Sequence, residues 1–121
     1  MSDTANAVTW FEIPVSDLSR ATAFYEEVLG VRLRQLDEGG FKMAWFPQHE
    51  GAPGSSGGLV EGRTPGKAGA LVYLTVSDMD AALARVEACG GRVVLPRASG
   101  GYGSVAHFED SEGNLVAFYS R

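Results

Sequence analysis

The sequence predicts an α+β fold of two βαβββ modules, which together form a curved, open half-barrel sheet around a concave cavity. Two observations lead to this prediction. Each half of the chain contains one amphipathic helical pattern flanked by segments rich in β-forming residues. The second half also repeats the first, because the Val-Ser-Asp triplet at 15–17 recurs at 76–78, a shift of 61 that carries Gly30 onto Gly91.

The first module is predicted at residues 8–61. Val8 to Val15 alternates like a strand, Ser16 or Asp17 can cap the following helix, and Gly30 ends that helix. A turn at 38–40 and a loop rich in Gly, Pro and Ser at 47–57 separate the later strands. Those strands are predicted at 31–36, 41–46 and 58–61.

The second module is predicted at residues 69–120, after a linker at 62–68. Ser77 is expected to cap its helix, with Asp80 completing a capping box. Its strands are predicted at 70–76, 92–95, 104–109 and 115–120. The whole chain of 121 residues then forms a single domain.

Composition excludes several classes of function. The net charge of −5 disfavours nucleic acid, which requires a basic patch. The start of the chain does not resemble a signal peptide, and no apolar run approaches the ~20 residues of a membrane span. Cys89 is the only cysteine, so no disulfide can form within the chain, and we expect an inert thiol and a cytoplasmic location.

Two stretches of the chain carry a family resemblance. VTWFEIPVSDLSRATAFYEEVLGV resembles the opening, and FEDSEGNLVAFYS the closing strand, of the vicinal oxygen chelate superfamily, which contains glyoxalases, bleomycin-resistance proteins and extradiol dioxygenases. The resemblance extends from Val8 to Ser120 and implies the two-module fold. It does not select a reaction, because this fold hosts several unrelated chemistries.

The resemblance also indicates where metal-using members hold their four ligands. Those positions correspond to Trp10, Leu71 and Ala117, and the fourth falls on Glu61 when Leu-Val at 59–60 is matched to Leu-Val at 115–116. Indole, isobutyl and methyl groups offer no lone pair suited to a divalent cation. We therefore expect no metal and no cofactor, as in bacterial glyoxalase-like proteins that lack the metal ligands.

Strand alternation groups the candidate ligand-binding residues on one face, which the resemblance implies is the concave one. Leu59 and Glu61 are assigned to this face by the same alternation. The expected cavity has aromatic walls and one polar anchor, an arrangement that suits a small molecule. Its residues are Trp10, Glu12, Trp45, Tyr73 and Tyr119. The alternative is that these aromatic side chains simply fill the hollow as core.

Three residues are candidates for catalysis. Glu12 could act as a general acid or base if it is buried among aromatic groups, or could instead form a salt bridge. Glu61 ends a short strand, where simple exposure is the alternative. His107 lies in the middle of a strand, and alternation alone leaves its face open; the shift of 61 relates it to Phe46.

These observations lead to one hypothesis and two rivals. The first is a metal-independent protein that binds a small, planar or partly aromatic organic molecule and forms a homodimer. The second is a glyoxalase-like lyase or isomerase that uses a carboxylate base. The third is an interaction module without a ligand.

Overall fold

The computed structural model describes residues 6, 8, 10–38 and 40–121. Each half of the chain has one helix and four strands in the order βαβββ, as predicted. The elements are β1 (Phe11–Val15), α1 (Leu18–Leu29), β2 (Arg34–Glu38), β3 (Phe41–Trp45), β4 (Gly57–Glu61), β5 (Tyr73–Thr75), α2 (Met79–Ala88), β6 (Arg92–Gly100), β7 (Gly103–Glu109) and β8 (Leu115–Ser120).

The strands form two mixed sheets that are not closed into a barrel, which confirms the α+β prediction. Their orders are β1-β4-β3-β2 and β5-β8-β7-β6. In each sheet the first strand of the module pairs parallel with the last, and the other pairs are antiparallel. Neither described helix is long and apolar enough to cross a membrane.

Several element boundaries differ from the predicted ones. β2 begins at Arg34 instead of residue 31, because the backbone N–H of Leu33 is bound by the side chain of Glu26 in α1. β5 covers only Tyr73–Thr75. β6 continues to Gly100 through Pro96, which an edge strand tolerates, and its pairing with β7 is irregular on both sides of Leu95.

Aspartates cap both helices. The Asp17 side chain accepts the N–H of Arg20 at 3.0 Å, and Gly30 ends α1 with a φ of 67°. In α2 the capping residue is Asp78, whose side chain accepts the N–H of Ala81 at 3.0 Å. The predicted cap at Ser77 is therefore wrong by one residue.

Helix α1 packs against both modules and unites them in one core. The Phe24 ring lies 6.3 Å from that of Phe108 in the second sheet, and the Tyr25 ring lies 5.5 Å from that of Phe46, which directly follows β3 of the first sheet. α1 and α2 also contact each other. The helices therefore cover one face of each sheet; we call the opposite face of each sheet its open face.

A turn of the second module, Asp110–Asn114, binds the start of α1 in the first module, and we call this contact the clasp. Glu112 accepts the backbone N–H groups of Ser16 and Asp17, each at 2.9 Å. Its carboxylate also pairs with Arg20, with 2.7 Å between Nε and Oε2. Burial alone would raise the pKa of Glu112, but these partners together lower it to about 2.

The buried side of the clasp is centred on Asp110. The Tyr25 hydroxyl donates to Asp110 Oδ2 at 2.7 Å, and burial together with this negative charge raises the pKa of Tyr25 well above its usual range. Asn114 Nδ2 donates to Asp110 Oδ2 at 3.1 Å and to the Pro14 carbonyl at 2.7 Å. The clasp thus fixes the two modules relative to each other.

Candidate functional site

The open face of the first sheet carries a row of residues that crosses all four strands. Strand pairing aligns Glu12 with Gly58, Gly58 with Trp45, and Trp45 with Arg34. Paired residues point to the same face of a sheet, so these four share the open face. Trp10, just before β1, adds a second indole to this row.

The aromatic and charged groups of this row touch one another. The rings of Trp10 and Trp45 lie edge to face with 5.2 Å between centroids, and Arg34 Cζ lies 5.9 Å from the Trp45 ring centroid. Glu12 Oε1 lies 3.5 Å from the guanidinium of Arg63. The indole Nε1 of Trp45 is buried and has no hydrogen-bond acceptor in the part of the chain that the structure describes.

The second sheet carries the equivalent row on its open face: Tyr73, Ala117, His107 and Leu95. The Tyr73 hydroxyl lies 3.4 Å from His107 Nε2, and their rings meet edge to face. Tyr73 is 49% exposed and Leu95 is 40% exposed. Alternation had left the face of His107 open, and strand pairing places this residue on the open face of the second sheet.

The structure divides the predicted ligand-binding residues between the two sheets. Trp10, Glu12 and Trp45 lie together on the first sheet, whereas Tyr73 and Tyr119 lie on the second. The Tyr119 hydroxyl is occupied, because it donates to the carbonyl oxygen of Tyr102.

Neither of the two main cavities joins these groups. The larger, of about 770 Å3, is lined by residues 46–56 with Phe11 and Tyr73–Thr75. The smaller, of about 430 Å3, is lined by Glu12–Pro14 and by 64–68 in the linker. The residues that were predicted to form the wall of one cavity therefore lie on two separate surfaces within one chain.

Glu61 lies on the opposite face from the predicted one. β4 pairs Leu59 with Ile13 and Glu61 with Val15, and these residues face the helices. The Glu61 carboxylate accepts the N–H of Leu18 at 2.9 Å, at the start of α1. The assignment of Leu59 and Glu61 to the open face is thus wrong, because the Leu-Val match at 59–60 and 115–116 does not correspond to the strand register.

The register instead relates the two modules by equivalent pairs. Gly58 pairs with Glu12 as Ala117 pairs with Tyr73, so Gly58, and not Glu61, is the counterpart of Ala117. In the same way the counterpart of His107 is Trp45, and not Phe46. This correction moves the fourth of the family's metal-ligand positions from Glu61 to Gly58.

The corrected positions do not fit a metal ion. They are occupied by Trp10, Gly58, Leu71 and Ala117, none of which carries a lone-pair donor for a divalent cation. A side chain at Gly58 would be obstructed, because a Cβ there meets the Ala44 carbonyl oxygen and Trp45 Cδ1, each at 2.9 Å. Among the described residues, no group of three His, Cys, Asp or Glu is placed to hold a metal.

Arg34, Gly58 and Arg63 are residues of this site that the sequence analysis did not select. Strand alternation could have indicated the position of Arg34, because it places Arg34 and Leu36, two residues later, on the same face of a strand. No sequence pattern indicated Gly58 or Arg63, because their roles depend on the pairing of β4 and on the path of the linker.

Comparisons with known proteins agree with this architecture. The glyoxalase/bleomycin-resistance protein of Albidiferax ferrireducens T118 has a similar structure, with a TM-score of 0.73 and 17% sequence identity, covering 96% of this chain and 100% of that chain. A hypothetical protein of S. aureus matches with a TM-score of 0.70 and 20% identity over 97% and 95% of the two chains. A glyoxalase I mutant of Zea mays matches with a TM-score of 0.71 and 21% sequence identity, covering 93% of this chain and 45% of that chain.

At these identities the structural likeness establishes the fold alone. A comparison with curated proteins found no match. The family model described as "Glyoxalase/Bleomycin resistance protein/Dioxygenase superfamily" matches residues 7–118, which is nearly the whole chain. The chain therefore belongs to the glyoxalase/bleomycin-resistance protein/dioxygenase superfamily.

Proposed function

We propose that this protein binds a small planar organic molecule on its open faces without the help of a metal ion. The observation that carries the proposal is the group formed by Trp10, Trp45 and Arg34. Two indole rings and a guanidinium form a surface with flat apolar area and one polar group, which is what recognition of a small ring compound needs. The absence of donors at the four family positions supports metal independence.

We also propose that the protein acts as a homodimer. In one chain each open face is left uncovered by the helices, and that of the second sheet exposes Tyr73 and Leu95. A twofold axis that brings the first open face of one chain over the second open face of its partner would create two enclosed sites. Light scattering should give a dimer at micromolar concentration, and a monomer at that concentration would contradict this part of the proposal.

The test of ligand binding is a thermal-shift screen of small ring compounds. A ligand that binds the native state raises its stability and hence the unfolding temperature. Trp10→Ala should remove the shift given by any hit, while Tyr102→Ala serves as a control because Tyr102 is 57% exposed and lies outside the Trp10–Trp45 group. A compound that raises the unfolding temperature equally in both variants would bind elsewhere on the protein.

A second candidate function is that of an enzyme, a lyase or isomerase of the glyoxalase type. The two carboxylates expected as a base are both engaged, Glu12 with Arg63 and Glu61 with the N–H of Leu18. A proton would therefore move more readily through the Tyr73–His107 pair on the second open face. Turnover of a bound compound that is lost in His107→Gln but retained in Glu12→Gln would favour this function.

The remaining proposals concern environment and partners. We propose a cytoplasmic location, which the lone thiol of Cys89 supports. A ligand-free interaction module stays the third alternative, and a screen without any hit would favour it.

A further inference from the structure

We infer that the ligand of the first open face is an anion, specifically a planar aromatic carboxylate, bound through Arg34 beside Trp45 and Trp10. This inference rests on the proposed function and adds the chemical class of the ligand. It follows from a guanidinium without an ion-pair partner among the described side chains, from the geometry of that guanidinium, and from an indole donor without an acceptor among the described residues.

The first open face carries a guanidinium that is not neutralised by a described carboxylate, although the whole chain is acidic. The chain carries a net charge of −5. Glu12, the carboxylate in the row that contains Arg34, is already paired with Arg63. Arg34 has no ion-pair partner among the side chains that the structure describes, so the guanidinium beside the two indoles is available to an anion.

The geometry of the guanidinium favours a carboxylate. Arg34 is held near the Trp45 ring, with 5.9 Å between Cζ and the ring centroid, so part of its conformational freedom is already lost before a ligand arrives. A guanidinium presents two parallel N–H groups that match the two oxygens of a carboxylate. The aromatic part of such a ligand would then lie against the Trp10–Trp45 pair.

The indole of Trp45 supplies a further donor. Its Nε1–H is buried and has no acceptor among the residues that the structure describes, and an unmet donor of this kind is destabilising. A ligand acceptor that reaches this N–H would gain a hydrogen bond that none of the described residues supplies. A carboxylate is also attracted by Arg34, whereas a cation would be repelled by the guanidinium.

Intrinsic fluorescence reports directly on this site, because Trp10 and Trp45 are the only two tryptophans of the chain. The probes are benzoate, benzamide and benzylamine, which share one ring and differ in charge. Binding is followed by tryptophan emission and by thermal shift at constant ionic strength. Collisional quenching by iodide and by caesium measures the sign of the local charge without any ligand.

Three variants separate charge from shape. Arg34→Gln removes the charge, Arg34→Lys keeps it but loses the planar fork, and Arg85→Gln removes the same charge from the last turn of α2 as a matched control. We expect benzoate to bind best, its affinity to fall about tenfold in Arg34→Gln and less in Arg34→Lys. Relative to N-acetyltryptophanamide, an indole without local charge, we expect quenching by iodide to be enhanced over quenching by caesium, and this enhancement to disappear in Arg34→Gln alone.

The outcomes distinguish this inference from the proposed function. If benzamide or benzylamine binds as well as benzoate, or if the ratio of iodide to caesium quenching in the unaltered protein is no higher than for N-acetyltryptophanamide, the ligand is not an anion, while small-molecule binding stands. An equal loss in Arg34→Gln and Arg85→Gln also overturns the inference, because any loss of positive charge would then suffice. If none of the three probes changes emission or stability, both proposals fail.

Discussion

Replacing Glu112 by Gln should weaken the clasp between the modules and make stability less dependent on acid. The substitution keeps the size of the side chain and removes its charge. In the folded protein this carboxylate binds Arg20 and two backbone N–H groups, which lower its pKa to about 2 from an ordinary value of 4.5. Its negative charge therefore favours the folded state.

The size and the pH range of the effect follow from that pKa. The difference between 4.5 and about 2 corresponds to roughly 3 kcal/mol at neutral pH. Solvent screening reduces this value because the Arg20 side chain is 55% exposed, so we expect a loss of about 2 kcal/mol. A lowered folded pKa gives stability that is complete above pH 4.5 and is lost as the pH falls towards 2.

The assay is urea unfolding of both proteins at pH 7 and pH 3, at one protein concentration. The unaltered protein should lose stability between these pH values, and the difference from Glu112→Gln should shrink by more than half. Glu27→Gln is the control, because this exposed glutamate of α1 has no hydrogen bond to another side chain among the described residues. A loss that is the same at both pH values, or equal in the two variants, would refute the reasoning.

Three further predictions concern the core, the open face and the metal positions. Tyr25→Phe should cost about 2 kcal/mol in urea unfolding, because it removes a donor to a buried carboxylate, while Tyr102→Phe on the surface should cost almost nothing. Gly58→Ala should cost about 1–3 kcal/mol, because its Cβ would meet Trp45 and a backbone carbonyl, whereas Gly66→Ala has free space and should be tolerated; equal stability of the two would contradict the packing. Elemental analysis of untagged, dialysed protein after loading with Zn²⁺, Ni²⁺, Mn²⁺ or Fe²⁺ should find far less than one metal per chain, and a full equivalent would contradict the ligand assignment.

Much of the architecture could be predicted because its signals are local. Alternation identified β1, helical periodicity identified α1, Ser16 or Asp17 marked the start of that helix, and Gly30 marked its end. Where the local signal was shared by two neighbouring polar residues, as at Ser77 and Asp78, the prediction missed by one position. A one-residue choice of this kind depends on the backbone angles at the start of the helix, which the sequence does not specify uniquely.

The candidate site was predictable only where it depends on residues within one strand. Alternation placed Trp10 and Glu12 on the same face, and the structure agrees for Glu12 and for the contact of Trp10 with Trp45. Glu61 was misplaced because the prediction needed the register between β1 and β4. These strands are neighbours in the sheet, but along the chain α1 and two other strands lie between them. A shift of one residue in a strand exchanges its two faces, so an approximate match of letters is not sufficient.

The sequence by itself determined the two modules and their order of elements, because these follow from residue types and short-range spacing. The resemblance to the family added the ligand positions at Trp10, Leu71 and Ala117, whose side chains do not bind a metal. Only the tertiary structure decided that Gly58 occupies the fourth position, that His107 shares a face with Tyr73, and that Arg34 lies beside Trp45. The physical reason is that strand register and module docking are set by many weak contacts between residues far apart in the chain, and these contacts leave no pattern at any single position.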